Sequence, residues 1–201
     1  SVTDLYTYDD KIVAQTNNDK EYTLLAINGQ ILQRKTVKNR SFFRVNELTF
    51  IKKYNAIESV GVSSGVVVWS VGVKGGMGFA PLFNDGHIYL VSKGLPNKII
   101  SINQETGEVD WQRGTKAISN LCILGSKIYF LETDGSLVGL DRENGEVVLT
   151  IHFSPSVDYQ AHPGRYYIAC DASVNVLVVS FGDNDQVIGL RVADNPIWSK
   201  P

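Results

Sequence analysis

The phrase ETGEVDWQRG at residues 105 to 114 returns as ENGEVVLTIH at 143 to 152 and, in looser form, as SSGVVVWSVG at 63 to 72. Repetition constrains a fold tightly, because each copy must be one supersecondary unit that buries its apolar faces against its neighbours. Aligned on the apolar residue before each turn, Val60 to Trp69, Ile102 to Trp111 and Leu140 to Leu149 all span nine residues, with Gly65, Gly107 and Gly145 five residues in. Leu190 to Trp198 is one residue shorter. LLAINGQILQRK near the N-terminus compresses the turn to Asn28-Gly29, a pair that tolerates the positive φ of a tight hairpin.

Upstream in each of these five copies stands an apolar run: KIVAQ at 11, ELTFI at 47, HIYLV at 87, KIYFL at 127 and NVLVV at 175. Their leaders Ile12, Leu48, Ile88, Ile128 and Val176 are 36, 40, 40 and 48 residues apart. That period matches one blade of a four-stranded propeller. Each copy reads as strand A, polar turn, strand B, loop, strand C, glycine turn and strand D; for copy 4 the strands fall at 119–124, 127–132, 136–141 and 146–152. The expected fold is all-β, a β-propeller of about five four-stranded blades over 4–38, 40–73, 78–113, 117–153 and 165–200, in a single domain 1–201. Five blades leave three arrangements open: a small closed ring, a fragment, or a larger ring completed by another chain. With copy 1 starting on strand A and copy 5 ending on strand D, closure rests on packing of the first blade against the last.

A composition of 43% hydrophobic and 20% charged residues supports a buried core and argues against disorder. No run of 18 uncharged apolar residues and no basic-then-apolar leader is present, and the chain starts at Ser1, so the expectation is a processed or trimmed chain without membrane insertion. Cys122 and Cys170 both stand six residues before the strand B leader, where other copies carry Tyr6, Phe42 and Leu82. Equivalent residues on successive blades are expected to point the same way, which predicts buried free thiols rather than a bonded pair.

SINQETGEVDW (101–111) and VGLDRENGEVVL (138–149) resemble the repeat of the quinoprotein-type β-propellers. In that repeat a small or aliphatic residue, Leu and Asp precede the turn, Thr-Gly or Asn-Gly closes it, and a tryptophan on the outer strand docks between blades. Copy 2 keeps Gly65 and Trp69, while Gln33 in copy 1 and Leu149 in copy 4 replace the tryptophan. The resemblance implies an extracytoplasmic protein. It covers both dehydrogenases that hold a quinone on the propeller axis and non-catalytic members such as the lipoprotein of the outer-membrane β-barrel assembly machine, usually with seven or eight blades. The enzymes carry adjacent cysteines beside the quinone, a stacking tryptophan, and acidic residues that bind calcium and act as base. Here the cysteines are 48 residues apart and the three tryptophans sit at docking positions, so the resemblance points to the non-catalytic branch, without cofactor.

Other chemistry finds little support. His87, His152 and His162 lack ligand spacing for zinc. GVKGGMGF at 72–79 lacks the Gly-Lys-Ser/Thr ending and following helix of a phosphate loop and reads as a tight inter-blade loop. GDNDQ at 182–186 lacks the distal glutamate of a calcium loop, and no nucleophile elbow is present.

Propeller topology sends the D–A and B–C connections to one end of every blade and the A–B and C–D connections to the other. Sorted this way, Lys38, Arg40, Lys52, Lys53, Lys74, Lys93, Arg113 and Lys116 share the first end, and Asp9, Asp10, Glu47, Asp85, Glu105, Asp141, Glu143 and Asp194 the second. Along the chain, residues 1–100 hold 12 basic and 8 acidic side chains, and 101–201 hold 7 and 13, giving net charges of +4 and −6. Lys38, Arg40, Lys52, Lys53, Tyr54, Lys74 and Lys93 form the candidate docking surface for a protein with an acidic surface, which separated charges would steer. A nucleic-acid partner is disfavoured by the pI of about 5.9 and the lack of a stacking ladder. SPSVDYQAHPGRYY at 154–167 is either a recognition loop or lid, or a plain bridge to the fifth copy. NRS at 39–41 is a glycosylation sequon. The leading expectation is a non-catalytic protein-binding module or scaffold. The alternatives are a diverged quinone- or metal-dependent oxidoreductase with a site in the axial funnel, and a specific inhibitor or immunity-type protein covering a partner's active site.

Overall fold

The computed structural model describes residues 2–8, 11–16, 21–26, 30–36, 41–45, 48–52, 55–60, 66–153, 166–181 and 186–192. They form two compact units, Ser1–Gly76 and Met77–Pro201. The first holds two antiparallel four-stranded sheets, one of β1 (Val2–Tyr8), β2 (Lys11–Thr16), β3 (Glu21–Ala26) and β4 (Ile31–Thr36), the other of β5 (Ser41–Val45), β6 (Leu48–Lys52), β7 (Ala56–Val60) and β8 (Val67–Gly72). The second holds a third sheet of β9 (Leu82–Asn84), β10 (His87–Ser92), β11 (Asn97–Asn103) and β12 (Val109–Thr115), and a fourth of β13 (Cys122–Leu124), β14 (Lys127–Leu131), β15 (Ser136–Asp141) and β16 (Val147–His152). Its fifth sheet shows β17 (Tyr166–Asp171), β18 (Val176–Phe181) and β19 (Gln186–Arg191) among the described residues; the expected last strand around Trp198 lies outside them. Every sheet pairs its strands in chain order.

In the third and fourth sheets the strand B runs are buried along almost their whole length because both faces of a central strand are covered, so the usual apolar–polar alternation disappears. Ile128 and Phe130 of β14 join a cluster with Tyr89, Val91 and Ile99 of the third sheet. Tyr129 and Leu131, on the opposite face, join one with Tyr166, Ile168 and Val179 of the fifth. Each such side chain contributes about 1.5–3 kcal/mol on burial.

The repeat also has a cross-strand signature. Phe50, Ser59 and Trp69 lie opposite one another across three strands, as do Tyr89, Ser101 and Trp111, and Tyr129, Gly139 and Leu149. A small residue in the middle leaves room for the large ones on either side, and ring centroids stand 5.7 Å apart for Phe50 and Trp69 and 6.1 Å for Tyr89 and Trp111. At Gly139 a Cβ would lie 3.1 Å from both Tyr129 Cε1 and Leu149 Cβ. One step further along, between strands C and D, the register slips at Leu24/Leu25, Ser59/Val60, Ser101/Ile102 and Gly139/Leu140, so the same bulge recurs in four sheets.

The glycine turns are built alike. The side-chain oxygen of Asn103 accepts the N–H groups of Glu105 and Thr106, and that of Asp141 accepts those of Glu143 and Asn144. Gly107 and Gly145 then turn the chain at φ 75° and 72°, conformations that an Asn or Asp two to four residues earlier and a glycine make accessible.

The cysteines correct the sequence reading: Cys122 and Cys170 are joined in a disulfide with Cα atoms 6.1 Å apart. The first strands of the fourth and fifth sheets lie side by side. Ser119 bridges Tyr166 in parallel, and the Asn120 amide both donates to Ile168 O at 2.8 Å and accepts Ile168 N–H at 2.9 Å. Equal register on two adjacent parallel strands therefore makes the two residues lateral neighbours, which the assumption of a shared direction overlooked.

Candidate functional site

Of the seven candidate docking residues, Lys38, Arg40, Lys53 and Tyr54 lie outside the described residues. Lys52 closes β6, its backbone opposite Ser41 and Ile57. Lys74, in the first unit, is exposed on the turn after β8, where Gly75 and Gly76 take φ 78° and 81°. Lys93, in the second unit, is exposed on the β10–β11 loop, its aliphatic stem lying along Gly78. Neither lysine forms an ion pair with another described residue.

Within the second unit the connections sort to two ends as the topology requires. At one end, Arg142 of the β15–β16 turn donates to Asp85 Oδ2 at 2.6 Å, in the β9–β10 connection, and to Asn84 Oδ1 at the end of β9. Gln104 N–H of the β11–β12 turn likewise donates to Gly86 O. At the other end, Lys116 N–H donates to Glu132 Oε1 and Thr133 N–H to Lys116 O, tying a D–A connection to a B–C one. Glu105, Glu108, Glu143, Glu146 and Asp85 are exposed at the first of these ends. The opposite end is mixed: it carries Lys93, Lys98 and Lys116, but also Glu132 and Asp134. Hydrogen bonds from Ser136, side chain first, hold the Asp134 carboxyl below the usual range. Arg113, sorted to the basic end from the sequence, reaches from β12 to Gly145 O at 3.3 Å and serves the joint between sheets.

The polar groups most suited to chemistry are engaged in structure. His87 Nδ1 lies 3.0 Å from Asp110 Oδ2, which also accepts Ser101 Oγ–H at 3.0 Å. Tyr89 beside them is pushed up to about 12 by burial, so it stays protonated. Ser136, fully buried, pairs with His152 Nδ1 at 2.7 Å. His162, Gly182, Asp183, Asn184 and Asp185 of GDNDQ and most of SPSVDYQAHPGRYY, together with Asn39 of the sequon, lie outside the described residues. Among the described residues no group of three His, Cys, Asp or Glu side chains is placed to hold a metal, and no helix is long and apolar enough to cross a membrane.

An open cleft of about 280 Å³ lies along the first strands of the three sheets of the second unit, lined by Phe83, Asn84, Leu121, Ile123, Ile168 and the disulfide among others. Its side chains are apolar apart from the Asn84 amide, whose oxygen is already taken by Arg142. Among the described residues no charged side chain lines it, so the described lining offers no partner for the carboxylates of a pyrroloquinoline quinone. The sequence reading missed this disulfide wall; the identical offset of the two cysteines from their strand B leaders was the signal.

Comparison with known proteins places the architecture. The family model described as outer membrane protein assembly factor BamB matches residues 46–156, more than half of the chain. Among curated proteins, 1-butanol dehydrogenase (quinone) of Thauera butanivorans is 27% identical over 73% of this chain and 27% of its own length. Quinoprotein ethanol dehydrogenase of Pseudomonas putida is 27% identical over 60% of this chain and 22% of its own. The chain thus spans about a quarter of the length of these enzymes. Among solved structures, BamB from Moraxella catarrhalis superposes with TM-score 0.56 at 15% identity, covering 94% of this chain and 63% of that one. The N-terminal domain of Nup159 gives 0.60 at 14% identity, covering 90% and 53%. The fold is a β-propeller built from quinoprotein-type repeats.

Proposed function

This chain belongs to the family of outer membrane protein assembly factor BamB, and from that premise we propose that it is a non-catalytic protein-binding module. Its D–A and B–C connections dock a protein with an acidic surface, through Lys38, Arg40, Lys52, Lys53, Tyr54 and Lys74 in the first unit and Lys93 in the second. One observation carries this reading: Lys74 and Lys93 stand exposed on loops without an ion pair among the described residues, while His87, Asp110, Ser136 and His152 are held in hydrogen bonds within the second unit. Loops on a rigid sheet scaffold are where binding residues concentrate. We take residues 1–201 as one propeller domain and place the protein outside the cytoplasm, which the Cys122–Cys170 disulfide supports.

The test is affinity capture from the source organism, comparing the native chain with a variant in which Arg40, Lys52, Lys53, Lys74 and Lys93 are all changed to Glu. A partner retained by the native chain and lost by the folded variant supports the reading; equal capture overturns it. The 27% identity to two quinone-linked alcohol dehydrogenases favours a second reading, a diverged oxidoreductase. A change in visible absorbance on adding pyrroloquinoline quinone and calcium would support that one, and its absence would sink it.

A further inference from the structure

Leu95, at the tip of the β10–β11 loop, is 96% exposed, whereas the next most exposed large hydrophobics among the described residues, Val66 and Val187, are 65% exposed and lie in or beside strands. A single exposed apolar side chain is common on protein surfaces. What sets Leu95 apart is how firmly the loop beneath it is held. Ser92 Oγ, 2% exposed with its residue, accepts Lys98 N–H at 3.1 Å across the base of the loop. Val91 O accepts Gly78 N–H at 2.8 Å, and Asn97 Nδ2 donates to Ala117 O at 3.4 Å. Gly94 is buried, and Pro96 packs over Gly114, where an added Cβ would sit 3.8 Å from Pro96 Cγ. The segment is therefore pinned on both sides of the one residue that touches almost nothing.

Both charges on the loop itself are positive. Lys93 is exposed with its stem laid against Gly78, and Lys98 is held at 2.9 Å from Gln112 Oε1. Residues 92–98 contain no carboxylate. Glu132 and Asp134 stand on the next sheet's loop at the same end, and Glu132 Oε1 is taken by Thr115 and by the Lys116 N–H. A loop fixed in advance loses little conformational freedom on association, so an apolar tip on it is an efficient anchor.

We propose that Leu95 is the apolar anchor of a docking site and inserts into a partner's apolar pocket whose rim carries carboxylates facing Lys93 and Lys98. This rests on the reading above that the loops at this end bind protein, and adds the residue on which affinity centres and the shape of the partner's site. The partner is a folded protein with a concave, acid-rimmed apolar pocket.

The experiment places a photo-crosslinking phenylalanine analogue at position 95, at position 74, and at position 105 on the opposite end, in the full chain expressed in the source organism, and identifies adducts by mass spectrometry. The expected result is an adduct at 95 whose crosslinked segment is apolar and flanked by Asp or Glu. With that partner purified, Leu95→Ala weakens binding tenfold or more and Lys93→Glu severalfold, while Leu95→Met retains it. Unfolding temperatures stay unchanged because Leu95 buries nothing. Adducts at 74 without one at 95, or an adduct at 95 with affinity indifferent to Leu95→Ala, overturn the anchor while leaving the basic-end reading in place. Adducts only at 105, an adduct to a second copy of this chain, or none at any position overturn both.

Discussion

The joints on the two sides of the fourth sheet solve one problem differently. Towards the third sheet, the seal is the repeat's own: Trp111 of β12 donates from Nε1 to Arg142 O at 3.0 Å and lies where a Cβ on Gly145 would be 2.6 Å from its ring. Arg142 then clasps Asp85 and Asn84 from the other direction. Towards the fifth sheet, the corresponding outer-strand residue is Leu149, which offers neither ring nor donor. There the joint is made at the inner strands instead, by the Asn120 hydrogen bonds and the Cys122–Cys170 disulfide. At this joint, where Leu149 stands in place of the docking tryptophan, the chain carries a covalent link.

Breaking the covalent side should have the largest effect. Replacing Cys122 and Cys170 together by Ala opens a loop closed across 48 residues and is expected to lower stability by about 4 kcal/mol, measured by denaturant unfolding. A loss below about 1 kcal/mol would mean that the inner-strand hydrogen bonds suffice.

The tryptophan side is next. Gly145→Ala must adopt φ 72° and displace the indole, at a cost of about 3 kcal/mol, whereas Gly107→Ala meets a φ of 75°. The difference between the two in parallel unfolding curves isolates the docking contribution from backbone strain. Equal losses would show that Trp111 is not wedged as described. A smaller change, Trp111→Phe, deletes the bond to Arg142 O and should cost about 1 kcal/mol.

The smallest effect concerns pH. The Asp134 carboxyl has its folded pKa lowered, so its contribution is present above the unfolded value and disappears as pH falls through the folded one. Asp134→Asn should therefore flatten the stability curve on the acid side, below about pH 4, by well under 1 kcal/mol once solvent screening is counted. A larger change near neutrality would contradict that assignment.

The sequence spelled out the strands of this fold because the repeat states them several times over. The strand expected at 127–132 is β14 at Lys127–Leu131, and Gly107 and Gly145 mark the glycine turns. The Trp111 dock was likewise implied by the repeat's resemblance. Relations between neighbouring copies were harder to read. Whether Cys122 and Cys170 meet depends on the lateral spacing of two strands, which no periodicity encodes. Arg113 and Arg142 were legible as charges, but not as parts of a joint. Leu95 left no mark, since exposure is decided by how the loop is pinned and Gly-Leu-Pro reads as an ordinary turn.

The most direct measurement is amide hydrogen exchange on the chain with and without its captured partner. Added protection is expected only in the D–A and B–C connections, at residues 37–40, 52–55, 73–80, 92–97, 115–119 and 132–135. Protection centred on the glycine turns at 103–108 and 141–146, or on the strands lining the cleft at 82–84 and 121–123, would contradict it.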